Sequence, residues 1–212
     1  MKILFYGDSI TDASRNRAVS DCDRSAFGNG FVMQVAGRLY EKSLTDYEII
    51  NRGISGNRIV DLYARIKSDL WNLSPDLISI LIGVNDVWHE VSRQDGVELD
   101  RFERIYRMLI EETLEKLPNA KIIINEPFVL KGEATASKFD EFLKVKDYAK
   151  VCQKIARDYG LYFLPLQESI EKADEVAGEN KILIDGVHPT VQGAVVIANE
   201  WMKLFNEIEK EI

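Results

Sequence analysis

Short apolar segments alternate with longer amphipathic segments along the chain. The short segments are rich in β-branched residues and contain few polar positions, which is typical of strands buried on both faces of a parallel sheet. They predict five strands: Lys2–Tyr6, Tyr47–Asn51, Leu77–Ile82, Ala120–Asn125 and Leu161–Pro165. The longer segments carry apolar residues at helical spacing. They predict six helices: Gly30–Lys42, Ile59–Leu70, Leu99–Leu117, Asp140–Tyr159, Ser169–Ala177 and Val191–Glu211.

This alternation of strands and helices favours an α/β fold. Strands joined by right-handed helical crossovers form a parallel sheet that is covered on both faces. We therefore expect a five-stranded parallel sheet in the flavodoxin-like order 2-1-3-4-5. No internal repeat or change in composition divides the sequence, so we expect residues 1–212 to form one domain. The connecting segments Asp12–Asn29 and Phe128–Lys138 follow carboxyl ends of strands, where such folds place function.

Composition and charge narrow the classes of function. Of the 212 residues, 46% are hydrophobic and 29% are charged, which is an ordinary globular balance. The net charge is −8 and the 27 Lys and Arg residues form no cluster, which argues against nucleic acid and anionic membranes as partners. The first apolar stretch is too short for a secretory signal, and the longest one, 77–84, is too short for a membrane span. We therefore expect a cytoplasmic protein.

The two cysteines, Cys22 and Cys152, indicate neither a metal site nor a disulfide framework. No CxxC motif and no His-rich tract accompanies them. We therefore expect free thiols in a reducing compartment and no bound metal.

Four polar clusters lie where the predicted sheet would bring them together. They are Gly7-Asp8-Ser9-Ile10-Thr11 after the first strand, Asn51-Arg52-Gly53-Ile54-Ser55-Gly56-Asn57 after the second, Gly83-Val84-Asn85-Asp86 after the third, and Asp185-Gly186-Val187-His188-Pro189 before the last helix. Parallel strands end at one edge of their sheet, so we expect these clusters to converge. Together they contain a nucleophile, a base, a group to orient that base and donors for an oxyanion, which acyl transfer requires.

Ser9 is the candidate nucleophile, although a Gly-Asp-Ser turn also occurs as a simple helix cap. Asp185 and His188 are spaced so that the carboxylate can reach the imidazole Nδ1 within one turn of chain. That contact fixes the tautomer and leaves Nε2 free to take the serine proton. Gly53 could offer a backbone N–H and Asn85 a side-chain amide to an oxyanion, with ordinary turn chemistry as the alternative.

Three further residues are candidates for the substrate pocket. Trp88 follows Asn85 closely and either lines an acyl or sugar pocket or packs in the core. His89 has no carboxylate in a triad-like arrangement, so we expect it on the surface or in the pocket lining. Asp8 is expected to cap or brace the turn that carries Ser9.

The four clusters together resemble, in the same order, the signature blocks of the SGNH hydrolases, also called GDSL esterases. The resemblance spans residues 7 to 189. It implies a three-layer α/β/α sandwich and an enzyme without metal or cofactor. It also implies a role for each site residue: Ser9 as nucleophile and first oxyanion donor, Gly53 and Asn85 as the other donors, His188 as base, and Asp185 as the residue that orients it.

Within this family, the sequence is most similar to the intracellular acetylxylan esterase branch. The strings that carry the similarity are Phe27-Gly28-Asn29-Gly30-Phe31, Asn51-Arg52-Gly53-Ile54-Ser55-Gly56-Asn57 and Ile82-Gly83-Val84-Asn85-Asp86-Val87-Trp88. The similarity implies a short-chain esterase that deacetylates xylo-oligosaccharides or related sugars and can form homo-oligomers. One departure bears on sugar preference, because Ile184 stands beside Asp185 where a second pocket aromatic is expected.

Other functions remain open at this point. A sugar O-acetyltransferase, a lysophospholipase or a thioesterase would use the same serine, although the mostly polar Asp12–Asn29 segment gives little sign of a long apolar groove. A non-catalytic carbohydrate-binding protein would be expected to lack the nucleophile or the base, and this sequence has both. Flavin or nucleotide binding is compatible with the fold alone, but no GxGxxG or GxxxxGK[ST] motif follows any predicted strand.

Overall fold

A parallel sheet of five strands, in the order β2-β1-β3-β4-β5, forms the centre of the part of the chain that the structure describes. The computed structural model describes residues 1–178 and 180–211. The strands are β1 (Lys2–Gly7), β2 (Glu48–Gly53), β3 (Leu77–Leu81), β4 (Lys121–Asn125) and β5 (Tyr162–Leu164). All five residues of β3 are buried, as expected for a strand with helices on both faces. The predicted fold class and strand order are therefore confirmed.

Two layers of helices cover the sheet. Their bounds are α1 (Ser9–Asp12), α2 (Phe31–Lys42), α3 (Ile59–Ala64), α4 (Ile66–Asp69), α5 (Val84–Arg93), α6 (Leu99–Lys116), α7 (Phe139–Phe142), α8 (Val145–Asp158), α9 (Gln167–Ala177) and α10 (Val191–Ile208). In one layer α10 packs against α2 and α9, and in the other α6 packs against α3 and α8. Right-handed crossovers explain why the helices lie on two faces of the sheet. The chain passes from β1 to β2 in one direction, and after β2 it passes to β3, β4 and β5 in the opposite direction, so the later crossover helices lie on the other face.

The core runs along both faces of the sheet. On one face, the buried Trp201 of α10 packs on Phe5 of β1, with ring centroids 5.2 Å apart. Its indole N–H donates to the Ser79 hydroxyl at 3.0 Å, and the Asn125 amide donates to the same hydroxyl at 2.9 Å. The last helix is thereby attached to the centre of the sheet. Within the described ranges, no helix has the length and apolar character that a membrane crossing requires.

Two predicted helices are interrupted in the structure. The helix predicted over 59–70 is divided at Arg65, where the backbone leaves helical geometry (φ −109°, ψ 11°). The Arg65 guanidinium there donates to the carbonyl oxygens of Arg52 at 2.8 Å and Gly7 at 3.1 Å. The helix predicted over 140–159 is divided into α7 and α8, because the N–H groups of Lys146 and Asp147 bond three residues back in a tighter turn.

Two helices that the sequence analysis did not predict follow strand ends directly. They are the single turn α1 and the ten-residue α5, which begin immediately beyond β1 and β3. The helix predicted to end at Glu211 ends at Ile208, and a short 3₁₀ turn completes it. Both unpredicted helices carry candidate site residues.

Candidate active site

Ser9 lies at the first position of α1, immediately beyond the carboxyl end of β1. The Asp8 carboxylate caps this helix by accepting the Ile10 N–H at 3.0 Å. A side chain at Gly7 would overlap the Leu81 carbonyl oxygen and the Thr11 hydroxyl. Glycine thus lets the chain turn sharply from strand to helix, and the turn holds Ser9 half-buried at the sheet edge.

The hydroxyl of Ser9 is hydrogen-bonded to a His–Asp pair from the far end of the chain. Its Oγ lies 2.9 Å from Nε2 of His188, and Nδ1 of His188 lies 2.7 Å from Oδ2 of Asp185. The other carboxylate oxygen, Oδ1, accepts the backbone N–H groups of Val187 at 3.0 Å and His188 at 2.9 Å. Three hydrogen bonds within the 185–188 turn and a fourth from His188 to Ser9 therefore connect Asp185, His188 and Ser9.

These contacts set the charges of the pair. Burial disfavours the Asp185 carboxylate, but the hydrogen bonds from the His188 ring and from two backbone N–H groups outweigh it and lower its pKa to about 2. The hydrogen bond to Asp185 raises the pKa of His188, against the opposing effect of burial, and the charge of Asp8 adds to the rise. An ionised Asp185 beside His188 stabilises the imidazolium that forms when the ring accepts a proton.

Asn85 lies in the first turn of α5, next to the segment that follows β2. Its side-chain amide donates to the Asn57 carbonyl oxygen at 3.1 Å. An amide nitrogen carries two N–H groups, so one remains for a ligand. Within residues 1–178 and 180–211, the backbone N–H of Ser9 has no hydrogen-bond acceptor.

The structure does not support Gly53 as an oxyanion donor. Its N–H donates to the Asn51 side-chain oxygen at 2.8 Å, and its carbonyl accepts the Arg15 guanidinium at 2.8 Å. An added Cβ at this position would overlap the backbone of Thr11 and Asp12. Gly53 therefore lets β2 pack tightly against α1, and its N–H is not available to a ligand.

Gly56, three residues further along, has the properties that were expected of Gly53. It adopts φ +83°, and a side chain there would meet nothing within 4 Å. Its N–H has no acceptor among the described residues. The flanking residues tie it to the site, because the Ser55 N–H donates to Asp12 at 2.9 Å and the Asn57 carbonyl holds Asn85. The Ile54–Asn57 turn, with its single glycine, is the sequence signal that could have identified this residue.

A cavity of about 390 Å³ opens beside Ser9 and His188. Its other lining residues are Ile10, Asp12, Ala13, Ser14, Asn29, Gly30, Ser55, Ile184 and Pro189. Ser14, Asn29 and Ser55 form a polar side, and their side chains have no hydrogen-bond partner within the described ranges. Ile184 is 57% exposed on the apolar side. The cavity thus combines free polar groups with an aliphatic wall.

The three candidate pocket residues lie in different surroundings. The half-buried Trp88 packs against His188, with ring centroids 5.9 Å apart, and against Phe142 at 5.4 Å, but it does not line the cavity beside Ser9. His89 is buried, and its ring lies 2.9 Å from the Arg93 guanidinium, away from that cavity. Burial and Arg93 both lower its pKa. The structure therefore does not support His89 as a pocket residue.

Asp8 is also not in the cavity lining. Its carboxyl group is 1% exposed beneath the turn that carries Ser9. Burial raises its pKa to about 7, against the N–H of Ile10 and the charge of His188. The capping role expected for Asp8 is observed, and a direct contact with substrate is not supported.

The described ranges contain no cluster of side chains that could bind a metal ion. No three His, Cys, Asp or Glu side chains lie together as metal ligands there. Cys22 is exposed, Cys152 is buried, and both thiols are free.

Comparisons with known proteins identify the family. The model of the GDSL-like lipase/acylhydrolase family matches residues 5–196. The acetylxylan esterase of Geobacillus stearothermophilus is 32% identical over 210 residues, covering 95% of this chain and 92% of that protein. An isoamyl acetate-hydrolyzing esterase 1 homolog from Rattus norvegicus is 25% identical, covering 88% of this chain and 74% of that protein.

Two crystal structures are similar over nearly the whole chain. A GDSL-like lipase from Parabacteroides merdae has a TM-score of 0.89 at 37% identity, covering 95% of this chain and 94% of that chain. The Geobacillus acetylxylan esterase has a TM-score of 0.84 at 31% identity, covering 95% and 92%. The protein belongs to the GDSL-like lipase/acylhydrolase family and is a carboxylic ester hydrolase.

Proposed function

We propose that this protein is a serine esterase that hydrolyses short-chain acetyl esters and deacetylates xylo-oligosaccharides or related sugars. The observation that carries the proposal is the chain of hydrogen bonds from Ser9 Oγ to His188 Nε2 at 2.9 Å and from His188 Nδ1 to Asp185 at 2.7 Å. An acetylxylan esterase at 32% identity supports the choice of ester.

In the first half of the reaction, Ser9 Oγ attacks the carbonyl carbon of the acetyl ester while His188 Nε2 takes the hydroxyl proton. The tetrahedral intermediate collapses, the bond to the alcohol oxygen breaks, and His188 returns the proton to that oxygen. In the second half, a water molecule attacks the acetyl-serine, again giving its proton to His188. Acetate then leaves and Ser9 recovers its proton, while Asp185 stabilises the imidazolium at each stage.

The proposed oxyanion donors are the N–H groups of Ser9 and Gly56 and the side-chain amide of Asn85. Gly56 replaces Gly53 in this role because the Gly53 N–H is already donated to Asn51. The N–H groups of Ser9 and Gly56 have no acceptor among the described residues, so they can be donated without first breaking a hydrogen bond. Donors that need no rearrangement stabilise the developing negative charge most effectively.

The cavity beside Ser9 supports a polyhydroxylated alcohol as the leaving group. Ser14, Asn29 and Ser55 offer free donors and acceptors to sugar hydroxyls. Ile184 presents an aliphatic surface in place of a second aromatic ring. A sugar ring would therefore be held here by hydrogen bonds and aliphatic contact, without stacking at position 184.

Three further expectations remain predictions. They are the organisation of residues 1–212 as one domain, the cytoplasmic location and the formation of a homo-oligomer. Light scattering of the purified protein would measure the oligomeric state directly.

The first test is hydrolysis of 4-nitrophenyl acetate by the wild type and by Ser9→Ala. We expect the variant to lose about 10⁴-fold or more in turnover, because the nucleophile is removed. Ser68→Ala, an exposed serine on α4, is the matched control and should keep wild-type rates. Rates that are equal in Ser9→Ala and the wild type would refute the proposed nucleophile.

The substrate class needs a second measurement. Acetate release from acetylated xylo-oligosaccharides should depend on Ser9 in the same way, and 4-nitrophenyl octanoate should be hydrolysed much more slowly than the acetate. Equal rates on acetyl and octanoyl esters would contradict the short-chain assignment.

A further inference from the structure

A segment within the connection between β4 and α7, residues 128–138, lies directly on the turn that carries Asp185 and His188. Two backbone hydrogen bonds join them. The Leu130 N–H donates to the Gly186 carbonyl at 2.8 Å, and the Ala134 N–H donates to the Asp185 carbonyl at 3.0 Å. We call this segment the 128–138 loop.

Two glycines allow this close approach. A side chain at Gly132 would overlap the Gly186 nitrogen and come within 2.5 Å of the Asp185 carbonyl carbon. A side chain at Gly186, which has φ +102°, would come within 2.6 Å of the Leu130 carbonyl oxygen and would overlap the Thr135 hydroxyl. The two backbones are therefore in direct contact at these glycines, with the Thr135 hydroxyl beside Gly186.

Thr135 holds the 128–138 loop in the conformation that makes this contact. It is fully buried. Its hydroxyl accepts the Gly132 N–H at 2.9 Å and donates to the Leu130 carbonyl at 2.7 Å, and it fills the space beside Gly186. One hydroxyl therefore fixes both the shape of the loop and the surface that the loop presents to the turn.

On its other side, the 185–188 turn is held by its own ends. The Ile184 N–H donates to the His188 carbonyl at 2.8 Å, and Leu183 pairs with Pro189 in an isolated antiparallel bridge. These contacts close the turn but do not fix how it is placed against the rest of the fold. The 128–138 loop joins the turn to the rest of the fold through the carbonyl groups of Asp185 and Gly186.

We propose that Thr135 is a positioning residue for the hydrolysis reaction. Through Gly132 and Gly186 it places the Asp185–His188 turn so that His188 Nε2 meets the Ser9 hydroxyl. This inference rests on the proposed function, in which His188 is the base. Thr135 itself touches neither Ser9 nor the ring of His188, so it acts through the turn.

The pKa of His188 reports the position of its ring relative to Asp185, because nearby charges shift that pKa. Asp185 and Asp8 are the charged groups that shift the pKa of the ring. Thr135 is uncharged, and its substitution leaves both carboxyl groups in the protein. A change in the pKa of His188 in a Thr135 variant would therefore report a changed distance or angle between the ring and Asp185.

The test compares Thr135→Val, which removes the hydroxyl, with Thr135→Ser, which keeps it. With 4-nitrophenyl acetate we expect kcat to fall about 10²-fold in Thr135→Val with KM nearly unchanged, as for a reacting group displaced by about 1 Å. Thr135→Ser should recover most of the loss. The control is Thr113→Val, which removes another fully buried hydroxyl, one that accepts from Trp71 in a different part of the fold. It should keep the wild-type kcat.

A second readout does not depend on activity. The chain contains two histidines, so the His188 ring can be followed by proton NMR, with His89→Gln as the assignment variant. We expect the raised pKa of His188 to fall in Thr135→Val as its hydrogen bond to Asp185 loosens. We expect no change in Thr113→Val.

The outcomes separate this inference from the proposed function. A folded Thr135→Val with wild-type kcat and an unchanged His188 titration overturns the positioning role. Should Thr135→Val not fold, Gly132→Ala takes its place with Gly37→Ala as control, since a side chain at Gly37 meets nothing within 4 Å. Wild-type kcat in Gly132→Ala then overturns the proposal. Equal rates of hydrolysis by the wild type and by Ser9→Ala would instead refute the proposed function, whatever the His188 titration shows.

Discussion

Asp86 is a fully buried carboxyl group whose replacement should change how stability depends on pH. Its Oδ1 accepts the Ile59 N–H at 3.1 Å, and its Oδ2 is buried without a partner among the described residues. Burial raises its pKa from 3.8 to about 8, and the nearby charge of Asp8 adds to the rise. In the native protein at neutral pH, Asp86 is therefore mostly protonated, whereas in the unfolded chain it is ionised.

The sign and size of the effect follow from this difference. A group whose pKa is raised on folding contributes stability that is complete below pH 4 and is lost as pH rises towards 8. Between pH 5 and pH 7 the native state holds one proton more than the unfolded chain at this site. The free energy of unfolding should therefore decrease by about 1.4 kcal/mol per pH unit, or about 3 kcal/mol over the interval, because of Asp86 alone.

Asp86→Asn keeps the shape of the side chain and removes its titration. Urea unfolding at pH 5, 6, 7 and 8 would give the free energy of unfolding of each variant. We expect Asp86→Asn to gain stability relative to the wild type as pH rises, with some slope remaining from Asp8. The control is Asp140→Asn, an exposed carboxylate, which should run parallel to the wild type. Parallel curves for Asp86→Asn and the wild type would refute the reasoning.

Three further predictions concern the reaction. Asn85→Ala should lower kcat by about 10²-fold or more through loss of one oxyanion donor, and full turnover on 4-nitrophenyl acetate would contradict that role. The value of kcat/KM should rise with pH through the raised pKa of His188, because the neutral ring takes the serine proton. Asp185→Asn should shift this midpoint to lower pH and reduce kcat by about 10⁴-fold, as in serine-protease triads, and an unchanged pH profile would contradict the pairing.

The strands could be predicted because a buried parallel sheet leaves a simple pattern. The residues of β3 are apolar almost without interruption, and the order of elements restricted the topology to few choices. The helices were less predictable where tertiary contacts override local pattern. At Arg65 the guanidinium bonds to carbonyls of two strands, and nothing in the apolar spacing of 59–70 indicates that break.

Helix α5 was missed for a different reason. Its first residues, Val84-Asn85-Asp86, carry the candidate site chemistry, and the helical spacing of Val84, Val87 and Val91 overlaps them. The helix begins directly after Gly83, which has φ +131°. A chemical motif and a helix start therefore occupy the same residues.

Only part of the candidate site could be predicted from the sequence. Order and spacing indicated Ser9, Asp185 and His188, and the structure brings these side chains together, while their roles in the reaction stay predictions. Gly53 and Gly56 lie in one motif, and only the backbone hydrogen bonds distinguish them. Thr135 gave no sequence signal, because its contact with Gly186 is made across the fold.

The hydrogen bond between Ser9 and His188 joins residues 179 positions apart. During synthesis at about 5–20 residues per second, roughly 10–40 s separate the appearance of the serine from that of the histidine. Any reaction that requires both side chains can therefore start only after residue 188 has been synthesised. Ester hydrolysis measured on stalled ribosome complexes would therefore report when α10 has docked onto the sheet.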